Sequence, residues 1–133
     1  MEEKKMKLRK WWVLVIAIIL LFIQAVYSET LNDRVFNSVA VSLSAGKGAS
    51  FSAETESTCA SIKVTRVRLY KKNGTVWVYT GELQVPSDEA VNDYYFYASY
   101  DYSNDIGTGE YRLLATFTAD GYNRNKYSNA MTY

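Results

Sequence analysis

From Val35 onward the chain places apolar residues at alternate positions in short runs separated by turn-forming residues, and nothing there sustains a helical period. A period of two sends neighbouring side chains to opposite faces of a strand, so the pattern commits this region to β-structure with one face buried. The run Tyr94 to Tyr102 shows it most clearly. Tyr94, Phe96, Ala98, Tyr100 and Tyr102 share one face, and Tyr95, Tyr97, Ser99 and Asp101 share the other.

Six further runs follow the same rule. Val35 to Leu43 alternates through Val39, Val41 and Leu43, and Ser44 to Gly48 reads as a loop. Ala49 to Thr58 and Ile62 to Tyr70 are the next two strands. The apolar phase slips from Ile62 and Val64 to Val67 and Leu69, which predicts a β-bulge near Thr65-Arg66. Asn73-Gly74 is a hairpin signal, with Thr75 to Val85 returning until Pro86-Ser87-Asp88 interrupts it. Glu110 to Thr118 turns Tyr111, Leu113, Ala115 and Phe117 inward, and Lys126 to Tyr133 closes the chain after an Asp120-Gly121 turn. Seven strands in roughly 100 residues is the size of an immunoglobulin-like or fibronectin-III-like sandwich. The expected fold is therefore all-β, a seven-stranded antiparallel β-sandwich over residues 35–133, with a barrel as the alternative.

Ahead of it, Lys4, Lys5, Lys7, Arg9 and Lys10 precede a continuous apolar run of 13 residues from Trp11 to Ile23. That length suits a signal peptide and falls short of the roughly 20 residues a membrane-spanning helix needs. Val26 and Ser28 occupy the −3 and −1 positions of a cleavage site, so residues 1–28 read as an N-terminal signal helix and 29–34 as a polar lead-in. The competing reading is an uncleaved anchor, since Ala25 and Val26 extend the apolar stretch and Tyr27 suits an interface. The expected location is secreted or extracellular, with membrane attachment only through that leader.

Composition narrows the chemistry. The chain has no histidine, which removes Ser-His-Asp and Cys-His catalysis and the commonest metal ligand. Its one cysteine, Cys59, cannot close an internal disulfide and is expected to be buried as a small hydrophobe. Once residues 1–28 leave, ten Lys/Arg face twelve Asp/Glu, a balance without the concentrated basic face a nucleic-acid ligand demands. Paired carboxylates such as Glu54/Glu56 and Asp88/Glu89 lack an apolar pocket to separate their pKa values, so a hydrolase working through carboxylates is the secondary reading. No cofactor is implied.

Two segments carry motif-like spacing. Asp101, Ser103 and Asp105 echo the alternate oxygen ligands of a calcium loop, but Ile106 stands where that loop needs glycine and Arg112 where it needs glutamate. A turn built on Asx-type hydrogen bonds is favoured there. At Asn73-Gly74, loop length decides which way Trp77 and Tyr79 point. A two-residue turn would gather Arg66, Arg68, Tyr70, Trp77 and Tyr79 on a face away from Val67 and Leu69, forming a ligand platform. A three-residue loop, Lys72-Asn73-Gly74, would bury Trp77 and Tyr79 with Val67 and Leu69, and is preferred because it buries more large side chains. Asn73-Gly74-Thr75 also matches an N-glycosylation acceptor. Tyr95 and Tyr97 form a second candidate surface.

The stretch from Gly107 through Tyr111-Arg112-Leu113 to Gly121 resembles the sixth strand of fibronectin-III-like sandwiches, which implies that Tyr111 makes a corner hydrogen bond. The Ser/Thr-rich stretch before Val67-Arg68-Leu69, the Asn-Gly-Thr-Val-Trp turn ending at Trp77, and the Gly-x-Tyr-Arg strand with Thr116 to Gly121 resemble a family of small secreted proteins of unknown function from Gram-positive bacteria, chiefly clostridia. That resemblance implies a location and a fold, and transfers no functional residue. The expected role is non-catalytic binding of a protein or glycan at the cell surface or beyond it, through Trp77, Tyr79, Tyr95, Tyr97 and Arg68.

Overall fold

The computed structural model describes residues 35–133. The signal helix over 1–28, its reading as an anchor, the cleavage point after Ser28 and the lead-in 29–34 lie outside the described residues. Within them every regular element is a strand and every pairing antiparallel: β1 (Phe36–Leu43), β2 (Gly48–Asn73), β3 (Val76–Leu83), β4 (Ala90–Asp101), β5 (Glu110–Ala119), β6 (Tyr122–Tyr127) and β7 (Met131–Thr132).

The count of seven matches the sequence pattern, but several boundaries differ, and β4 begins at Ala90, ahead of the expected Tyr94. Ala49–Thr58 and Ile62–Tyr70 are one continuous strand of 26 residues. No glycine or proline stands between them to end the ladder, and the chain shifts register against β4 between Glu54 and Cys59 instead of stopping. At the other end, the strand expected over Lys126–Tyr133 starts earlier, at Tyr122, and is split into β6 and β7. Ser128 and Asn129 divide it because their side chains are drawn aside: the Leu113 amide donates to Ser128 Oγ (2.8 Å), and Asn129 bonds both backbone groups of Leu43 (2.8 and 3.0 Å).

β2 is the spine of one curled sheet. Its first half is flanked by β1 and β4, and its second half by β5 and β3, with β6 beyond β5; Ile62 pairs with both Ala90 and Ala119 where the two halves meet. The curl packs Phe51 and Phe96 of the first half edge-on against Phe117 of the second, each at 6.5 Å between centroids. Asn129 and the Arg124 guanidinium, which donates to the Phe36 carbonyl at 3.1 Å, tie β1 to the C-terminal strands across the seam.

The inward residues follow the predicted alternation. Tyr111, Leu113, Ala115 and Phe117 are buried, as are Phe96, Ala98 and Tyr102, and Cys59 is buried too. The bulge expected at Thr65-Arg66 is present: register against β5 steps from Val64↔Phe117 to Arg66↔Thr116, so Val64 and Val67 both face the core despite their odd spacing. Tyr94 departs from its expected inward position and is exposed. It lies where β4 loses register with β2, after Asn92 takes a positive φ of 51°, and the Asp93 carboxylate accepts its amide.

Candidate functional site

The hairpin joining β2 and β3 sets the geometry of the site. Asn73 pairs with Val76, so the loop is the two residues Gly74-Thr75, one position later than the two-residue turn read from the sequence and one residue shorter than the three-residue loop. Gly74 carries a φ of 65° and Thr75 stays out of the left-handed region, the combination of a type II′ turn, which suits the right-handed twist of paired strands. Lys72 then faces Trp77 and Tyr70 faces Tyr79. The three-residue loop that would bury Trp77 and Tyr79 is thus corrected: both lie outside, Trp77 half-buried and Tyr79 48% exposed.

An extra residue in β3 lets Trp77 and Tyr79 face out while Leu83 and Val85, at the same odd spacing, face in. Between Tyr70↔Tyr79 and Leu69↔Gly81 the ladder slips by one, leaving Thr80 unpaired in the β3 ladder, and its hydroxyl donates to the Leu69 carbonyl at 2.9 Å. Beyond this bulge Leu83 opposes Val67, and Leu83 and Val85 pack on the core. One odd-numbered apolar pair therefore goes in while the other goes out.

On the outer face the aromatic residues form a connected set across four strands. Register places Arg112 of β5 beside Tyr70, and Tyr127 of β6 beside Leu114. The Arg112 guanidinium lies over two rings, 4.5 Å from the Trp77 centroid and 4.1 Å from that of Tyr127. Tyr70 meets Tyr79 and Tyr127 edge-on at 5.8 and 6.1 Å. Beneath them Leu114 points outward yet is 7% exposed, and it stands apart from the main core. Tyr127 keeps 45% of its surface open.

Charge on this face is only partly balanced. Arg66 pairs with Glu82, whose carboxyl is held below the usual carboxylate range first by that hydrogen bond, and Lys72 lies 3.6 Å from Glu110. Arg68 stands opposite Glu82 and adds to the lowering of its pKa without bonding to it, Arg112 has no ion-pair partner among the described residues, and the Nε of each is shut from solvent with no acceptor. Over residues 35–133 nine Lys/Arg stand against ten Asp/Glu, so a basic outer face belongs to a slightly acidic domain. Alongside runs a neutral ladder: Thr116 to Asn125 at 2.7 Å, Thr118 to Asn123 at 2.8 Å and Thr65 to Thr118 at 2.9 Å.

No protein-family model, curated protein or solved structure matches the chain.

Of the residues expected from the sequence, Trp77, Tyr79 and Arg68 come together. Tyr95 and Tyr97 do not join them. They are exposed, at 49% and 58%, but they oppose Glu54 and Ser52 on the first half of β2, at the far end of that strand from Tyr70 and Lys72. Asp101, Ser103 and Asp105 form a turn: the Asp101 carboxylate accepts the Ser103 amide at 2.9 Å, which lowers its pKa, and the Asp105 and Ile106 amides close on the Tyr102 carbonyl. Among the described residues no three His, Cys, Asp or Glu side chains converge as metal ligands. Tyr111 donates its hydroxyl to the Thr108 carbonyl three residues upstream, at 3.4 Å. Sequence reasoning missed Arg112 and Tyr127 as site residues. Alternation from inward Tyr111 puts Arg112 outside, and a two-residue Asp120-Gly121 turn brings Tyr127 level with Leu114, so both were within reach of the pattern.

Proposed function

We propose that this chain is an exported, non-catalytic binding module that holds a protein or glycan at the cell surface or outside the cell. We further propose that its curled sheet is an immunoglobulin- or fibronectin-III-like sandwich, related to the small secreted proteins of Gram-positive bacteria it resembles. The upstream hydrogen bond of Tyr111 supports the sandwich reading, because such a corner is a feature of those folds. The basic stretch and 13-residue apolar run before Gln24 support export.

The binding reading rests on one observation: Trp77, Tyr79, Tyr70, Tyr127 and Arg112 sit together on the outer face of β3, β2, β5 and β6 instead of in the core. Tryptophan, tyrosine and arginine are the residues most enriched where interfaces concentrate their binding energy. Full-length protein immobilised and screened against cell-wall glycans and surface proteins tests it. Binding lost in Trp77→Ala and Tyr127→Ala but kept in Tyr97→Ala supports this face, whereas binding indifferent to all three places the contact elsewhere.

A hydrolase is the second reading, because Glu82 and Asp105 both line a shallow cleft of about 240 Å³ with Leu69, Leu83 and Tyr111. Glycoside hydrolysis needs one carboxyl held protonated near neutral pH. Glu82 is pulled the opposite way by Arg66, which favours the binding role.

A further inference from the structure

We infer that the ligand of the outer face is an acidic polysaccharide, a glycan whose sugar rings stack on Tyr79 and Tyr127 while its carboxylates meet Arg68 and Arg112. This rests on the binding reading above and narrows it to one chemical class. Three features of the face carry it. Four cations on this face, Arg66, Arg68, Lys72 and Arg112, share two carboxylates: Glu82, which pairs with Arg66 and stands opposite Arg68, and Glu110 beside Lys72, so positive charge is in excess and Arg112 has no carboxylate partner among the described residues. An anion on the terminal guanidinium nitrogens would supply the missing negative charge in the planar, forked geometry that arginine offers to carboxylates.

The remaining two features distinguish a glycan from other anions. Tyr79 and Tyr127 leave about half of their surface open beside those guanidinium groups, and flat rings next to hydrogen-bonding groups suit sugar rings. The neighbouring strip pairs Thr116 with Asn125 and Thr118 with Asn123, all neutral donors and acceptors on the same sheet face. A polyhydroxylated polymer uses such a strip.

Full-length protein is titrated with polygalacturonate, with carboxyl-reduced polygalacturonate, with a neutral β-glucan, with polyglutamate and with single-stranded DNA. The expected result is binding to polygalacturonate that weakens about tenfold or more in Arg112→Gln, in Arg68→Gln and on carboxyl reduction, and that falls with added salt. Arg68 lies outside the Trp77–Arg112–Tyr127 stack, so Arg68→Gln serves if Arg112→Gln fails to fold, and Lys126→Gln is the control that leaves affinity unchanged. Equal binding of the neutral or carboxyl-reduced glycan overturns the acidic class and leaves the binding reading standing. Preferential binding of polyglutamate or DNA, lost in Tyr127→Ala, likewise replaces the glycan with another partner on the same face. No binding to any of the five, together with no hit in the wider screen, overturns both.

Discussion

Arg112 and Trp77 lie on strands that do not touch, β5 and β3, yet the guanidinium carbon of one rests 4.5 Å from the ring centroid of the other, across the intervening β2. Tyr127 closes the stack from β6. Such contacts contribute about 0.5–2 kcal/mol depending on how far they are desolvated. Trp77→Ala and Arg112→Ala are each expected to lower stability by about 1–2 kcal/mol. A double-mutant cycle in urea should return a coupling of about 0.5–1 kcal/mol. Strictly additive losses would mean that the stack contributes nothing to folding.

Tyr102 is fully buried and donates its hydroxyl to the Gln84 carbonyl at 2.7 Å. Tyr102→Phe leaves that carbonyl without its donor and is expected to cost about 1–3 kcal/mol. Burial pushes the Tyr102 pKa well above that of a free phenol near 10. The unfolded chain therefore releases this proton first as pH rises. Its stabilising effect is whole below about pH 10 and is lost as the medium climbs from there toward the folded pKa. Urea midpoints followed from pH 8 to 11 should fall less steeply in Tyr102→Phe than in the parent, and parallel curves would refute the assignment.

Gly109 has a φ of 135°, and a Cβ placed there would stand 2.8 Å from Lys71 Cε, above the Tyr111 ring. The lysine chain can move aside, so the backbone conformation is the dominant penalty. Gly109→Ala should cost at least about 1 kcal/mol. Gly46 has open space around its Cα and no such backbone constraint, so Gly46→Ala should stay within about 0.5 kcal/mol of the parent or gain slightly. Thermal melts of the pair decide it, and equal midpoints would count against the Gly109 conformation.

Asp120 both forms and anchors the β5–β6 turn. With Gly121 it takes positive φ values of 47° and 84°, a type I′ pair, and its carboxylate accepts the Ala60 and Ser61 amides at 3.2 and 3.0 Å. Asp120→Asn keeps a residue tolerant of that backbone and one acceptor oxygen, so it should be the milder change. Asp120→Ala loses both properties and should cost about 1–2 kcal/mol. Denaturant titration of the two variants checks the order.

Features decided within one strand were readable from the residues. The inward set of β5, the outward Tyr95 and Tyr97, and the bulge at Thr65 all follow from a period of two and one slip in it. Features decided between strands were not. Nothing local announces that Thr80 is the extra residue, although only such an insertion lets Trp77 and Tyr79 face out while Leu83 and Val85 face in. The unbroken β2 was hidden for the same reason, because its irregularity concerns pairing with β4 and leaves no breaker residue behind. The Arg112 stack depends on three strands converging, so its members are visible as outward residues but not as partners.

The 26-residue β2 leaves the domain without a line along which it could come apart. Each half borrows its central strand from the other, so neither can melt alone, and unfolding should be a single all-or-none event. The same sharing limits exchange between molecules. Trading either half between two copies would carry the spine away with it.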